Sequence, residues 1–62
     1  MVYRIEYNKV DCKTMHHMYL KADETITDLP DTALIFGTYE DCESYRQEHD
    51  YANSFHVQKM PN

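Results

Sequence analysis

The chain reads as an α+β domain of order β-β-β-α-β, one helix packed on a four-stranded mixed sheet. Three observations predict it. Tyr3, Ile5 and Tyr7 alternate with charged neighbours, a continuous apolar run spans Ala33 to Phe36, and a capped amphipathic segment starts at Thr38. The 62 residues are expected to form one domain, 1–62. At that size only about 60% of the unfolded chain's surface can be buried, so the stability margin is thin.

The first strand is "VYRIEYN". Its period of two puts Tyr3, Ile5 and Tyr7 on one face and Val2, Arg4 and Glu6 on the other. "NKVDCK" has no consistent apolar period and reads as a turn. The second strand is placed at Thr14 to Ala22, with His16, Met18 and Leu20 facing one way and Met15, His17 and Tyr19 the other. A helix is the alternative there, because Met15, Met18 and Tyr19 also fit spacings of three and four. The strand is favoured because a short turn after the first strand makes a hairpin. "DETITDLPD" reads as an acidic loop with room for one helical turn. Pro30 pushes Leu29 towards an extended backbone.

Ala33 to Phe36 is short, apolar and bounded by turn residues, which predicts a central strand buried on both faces. "TYEDCESYRQEHD" (Thr38 to Asp50) is the clearest helix. Thr38 is a good N-cap, and Asp41 stands where a capping box has its acid. Thr38, Cys42, Tyr45 and His49 form one stripe, with Tyr39 at its edge. Glu40, Glu43, Gln47 and Asp50 project on the opposite side. "YANSFHVQKM" begins as a connection and ends as a strand. The last three elements then make a βαβ unit, with the third and fourth strands parallel through a right-handed crossover. One helix covers one sheet face. The other is expected to stay partly open, lined by Arg4, Glu6, His17 and Tyr19.

Charge is unevenly spread. The net charge is −5. Asp23 to Asp50 holds nine acids and one base, Arg46, for −8; the rest is +3. That balance excludes the basic face a phosphate-backbone binder needs, so no direct nucleic-acid binding is expected. It suits a surface offered to a basic partner. The first residues lack the apolar core of a signal peptide, and no stretch approaches a membrane span, so a cytoplasmic protein is expected. Two cysteines, Cys12 and Cys42, are too few for a disulfide framework.

Chemistry is thinly represented. Cys12, His16, His17, Cys42, His49 and His56 include enough ligand types for zinc but lack the paired spacing of a zinc signature, and His16 and His17 would leave a strand on opposite faces. A thiol nucleophile at Cys42 is flanked by Asp41 and Glu43, whose charge raises its pKa. No catalytic residue, metal ligand or cofactor is therefore assigned; a small zinc- or thiol-dependent protein using Cys12, Cys42 and the histidines is the alternative. The favoured reading is a non-enzymatic protein-binding module. Its partner would be a basic or nucleic-acid-binding protein, and its binding residues Glu40, Glu43, Gln47 and Asp50 on the helix, with His17 and Tyr19 on the open sheet face. In size, tyrosine content (six residues) and acidity the chain resembles the small proteins that bacteriophages make to inhibit host proteins. That resemblance implies an inhibitor of a host protein; the acidic helix face itself reads as a mimic of nucleic-acid phosphates or a docking surface for a basic protein. An uncovered sheet face on so small a domain also predicts a homodimer, or a partner complex using the same face.

Overall fold

Strand β1 (Val2–Tyr7) organises the sheet because it has a neighbour on each side. The computed structural model describes residues 1–51 and 53–61, so Ala52 of the predicted connection and Asn62 of the predicted domain lie outside the described residues. β2 (Tyr19–Leu20) and β3 (Ile26–Thr27) follow, then a 3₁₀ turn (Pro30–Thr32), the helix α1 (Tyr39–Glu48) and β4 (Phe55–Met60). The order β-β-β-α-β and the α+β class are as expected. The sheet runs β3-β2-β1-β4 and every pairing is antiparallel, so it is not mixed.

The run Ala33 to Phe36 is not the third strand. Leu34 N–H donates to the Leu20 carbonyl at 3.1 Å, and Phe36 exchanges two backbone bonds of 2.9 Å with Tyr3, a single antiparallel bridge. Ala33 is buried, but Ile35 points outward at 51% exposure. The third strand is Ile26–Thr27, in the segment expected to be a loop. With no strand at 33–36 to accept it, β4 pairs with β1 along its whole length, from Val2 opposite Met60 to Tyr7 opposite Phe55.

The second strand is also shorter than expected. Thr14 to Met18 is neither strand nor helix. The connection from Asn8 to Met18 instead folds on Asp11, whose carboxylate accepts from the Lys13 and Thr14 amides while its backbone N–H donates to the His16 carbonyl. Met15 completes the turn with φ 61°. At the next turn Asp23 accepts from the Thr25 amide and hydroxyl, which hold its carboxyl below the usual range, and Glu24 takes φ 68°.

The core lies between the odd-numbered face of β1 and the helix. Ile5, Leu20 and Cys42 are fully buried, with Tyr3, Leu34, Phe36, Tyr45, Tyr51, Phe55 and Val57 packed round them. Aromatic edges join these parts: Phe36 and Tyr45 lie 5.4 Å apart, and Tyr51 stands edge-on to Phe55 at 5.2 Å. α1 starts as its sequence predicts, with Thr38 Oγ1 accepting from the Asp41 amide at 3.2 Å.

The end of α1 stores strain that one substitution can release. Asp50 N–H donates to the Gln47 carbonyl at 3.3 Å and Tyr51 N–H to the Arg46 carbonyl at 2.9 Å, the double closure that usually carries glycine. Asp50 holds that position at φ 63°, with its charge beside the negative helix end. Asp50→Gly is expected to stabilise by about 0.5–1 kcal/mol, raising Tm by about 2–8 °C in a domain this small. Thermal denaturation followed by circular dichroism checks it.

Candidate functional site

The helix surface is built by its own periodicity. Cys42 and Tyr45 face the sheet, which turns Glu40, Asp41, Ser44, Gln47 and Glu48 to solvent. Glu43 lies between these sides, half-buried. Arg46 Nε donates to Glu43 Oε2 at 3.0 Å, and Gln47 Nε2 donates to Glu43 Oε1 at 2.9 Å. The Arg46 bond, then the Gln47 bond, hold the Glu43 carboxyl below its usual range. A depressed carboxyl stabilises the fold above the ordinary carboxylate range and loses that contribution as acid protonates it. Arg46 also donates Nη1 to the Phe55 carbonyl at 3.0 Å, fastening the helix to β4.

The lone base between Asp23 and Asp50 is therefore spent inside the fold. Glu40, Asp41, Glu48 and Asp50 remain exposed. Tyr39 stands among them half-exposed at 51%, its ring edge-on to Tyr3 at 6.1 Å. The predicted helix set is thus divided. Glu40 and Asp50 are open, Glu43 and Gln47 are bonded to each other, and Asp50 lies beyond the last helical turn.

The opposite sheet face is not open in the way expected. Register places Val2, Arg4 and Glu6 there with His56, Gln58, Met60 and Tyr19. Arg4 is only 6% exposed, because the Pro30–Thr32 turn folds over it and the Pro30 carbonyl accepts from its Nε at 2.9 Å. Glu6 is 8% exposed. Its Oε2 lies 3.2 Å from both His17 Nδ1 and His56 Nε2, and His56 Nδ1 lies 2.7 Å from Asn8 Oδ1. Tyr19 is 8% exposed. Burial, then the Glu6 charge, push its hydroxyl pKa up against the opposing pull of Arg4. Tyr19 is therefore mostly covered and forms a wall of this face. His17 does reach solvent.

The adjacent histidines His16 and His17 each meet a carboxylate. His16 Nδ1 lies 3.0 Å from Asp28 Oδ2, and His17 meets Glu6. Because Thr14 to Met18 is not a strand, the two do not diverge; both line one open depression of about 280 Å³ with Met15, Tyr19, Asp28 and Pro30. Among the described residues no group of three or more His, Cys, Asp or Glu side chains is placed to hold a metal ion. His49 stacks on Tyr45 at 4.0 Å.

The cysteines are both free, Cys12 exposed and Cys42 in the core. Burial first, then the Glu43 charge, push the Cys42 thiol up to about 11, with Arg46 opposing. The flanking acid foreseen in the sequence contributes, but burial is the larger cause. Alkylation at pH 8 is expected to modify Cys12 alone in the native protein and both thiols in denaturant. Mass spectrometry distinguishes the two, and fast native labelling of Cys42 would refute its placement in the core.

No known family, curated protein or solved structure matches the chain. No helix among the described residues is long and apolar enough to cross a membrane.

Proposed function

We propose that this chain is a non-enzymatic protein-binding module whose acidic helix docks on a basic or nucleic-acid-binding protein, in the manner of a small inhibitor that mimics nucleic-acid phosphates. The observation that carries this is the commitment of Arg46. With that guanidinium turned inward onto Glu43 and the Phe55 carbonyl, no base of the segment offsets the exposed Glu40, Asp41, Glu48 and Asp50. Tyr39 supplies an aromatic anchor within the acidic surround, the residue type that interface centres favour. Free Cys12 and Cys42 suit a reducing, cytoplasmic setting.

Capture of a partner by the immobilised chain tests the reading. A stoichiometric basic protein is expected at low ionic strength and its loss at high salt, because exposed charge pairs are screened. Duplex DNA should compete with the chain for it. Paired Glu40→Gln and Asp41→Asn substitutions should weaken capture at least tenfold while the circular dichroism spectrum is retained. A partner held equally by this variant, or insensitive to salt, would remove the acidic helix from the account.

A further inference from the structure

We infer that β4 is a self-complementary edge through which two copies of this chain pair antiparallel into one continuous eight-stranded sheet. β4 ends the sheet order β3-β2-β1-β4 and has β1 on one side only. The parity of β1 fixes which backbone groups of β4 face outward. Tyr3 exchanges bonds with Phe36, and Tyr7 N–H donates to the Met18 carbonyl, so the odd residues of β1 bond on the β2 side. Its even residues bond to β4, through Met60, Gln58 and His56. Phe55, Val57 and Lys59 therefore direct their amide and carbonyl groups to the free edge.

That edge is closed at both ends. Phe55 N–H is taken by the Tyr51 carbonyl at 3.1 Å and its carbonyl by Arg46 Nη1. Pro61 has no N–H to offer. Between them Val57 N–H and C=O and Lys59 N–H have no partner among the described residues, and the Lys59 carbonyl meets only the Gln58 side chain at 3.3 Å. Open groups at two positions, i and i+2, fit the same two positions of a second copy. With Val57 opposite the partner's Lys59, each of the two symmetric pairs exchanges two bonds, and Gln58 falls opposite its own copy.

Charge and entropy favour a second copy over another strand. Phe55 to Met60 contains no carboxylate although the chain is −5 overall, so no two carboxylates of the paired strands oppose each other across this edge. The register sets each Lys59 opposite a valine and not another lysine. A preformed strand pays no ordering cost, whereas a disordered peptide would pay it for only four backbone bonds. The contact is small, so the dimer is expected to be reversible and concentration-dependent. It differs from a dimer through the opposite sheet face, whose Tyr19, Arg4 and Glu6 are covered, and it does not depend on the partner proposed above.

Cross-linking reads the register directly. Directly opposed residues of a non-hydrogen-bonded antiparallel pair have Cα atoms about 4.5 Å apart, within disulfide range. In a Cys12→Ser background, Gln58→Cys is expected to give a disulfide dimer under mild oxidation. Ser44→Cys, on the exposed side of α1, should cross-link at least tenfold more slowly. Sedimentation of the unmodified chain should show a dimer fraction that grows with concentration, and Lys59→Pro, which removes an edge N–H unused within the fold, should abolish it. Equal cross-linking of the Gln58→Cys and Ser44→Cys chains would overturn the proposal. So would amide exchange of Val57 and Lys59 that is independent of protein concentration, a readout that requires no substitution.

Discussion

Leu20→Ala is expected to remove a large share of the molecule's folding free energy. Leu20 is fully buried beside Ile5 and Cys42, and its carbonyl holds the Leu34 amide. Truncating a buried leucine costs about 2–5 kcal/mol, from lost transfer energy and the cavity left behind. A domain of this length has a total margin of about 3–9 kcal/mol. Ile35→Ala provides the contrast. Ile35 sits within the most apolar stretch of the sequence but is half-exposed, so it should cost under about 0.5 kcal/mol. Urea titration of the two variants decides the matter. Equal losses would place Ala33 to Phe36 back in the core as a strand.

That pair of substitutions marks where the sequence is readable. Alternation in β1 and β4 and the Thr38 cap are local signals, and each appears in the fold where it was expected. The run Ala33 to Phe36 misleads because apolarity reports burial and not ladder membership. Leu34 and Phe36 pack against the core, yet the run makes one bridge to β1 where the ladder prediction required a strand. Conversely Ile26–Thr27 is too short to display a period. The turns are hidden for a different reason. Met15, Glu24 and Asp50 take positive φ, where a glycine would have announced the bend.

The candidate site divides along the same line. Helical periodicity alone brings Glu40 to the surface, so that residue was legible. The neutralisation of Glu43 by Arg46 follows from an i, i+3 spacing that the sequence also displays, although the predicted binding set included Glu43. The burial of Tyr19 was not legible. Alternation assigns it to the face of Glu6, but nothing local says that the chain from Leu29 to Thr32 will return over that face.

Arg4 shows how much that return matters, and Arg4→Ala is expected to cost about 2–3 kcal/mol. The guanidinium is almost fully buried, donating Nε to the Pro30 carbonyl and Nη1 to Met60 Sδ at 3.4 Å. Hydrogen bonds from a charged group contribute about 1.5–3 kcal/mol, and the aliphatic stem packs on the sheet besides. Arg4→Met keeps the stem and should recover part of the loss. Arg4→Lys keeps the charge but cannot present two donors in a planar fork, so it should not restore the wild-type value. Local loosening is the distinguishing sign: the Thr32 and Ala33 amides, bonded to the Leu29 and Pro30 carbonyls, should exchange faster in Arg4→Ala than in a surface variant of equal global stability. Unchanged exchange there, or an Arg4→Ala protein as stable as wild type, would mean that the 3₁₀ turn is held by its own hydrogen bonds.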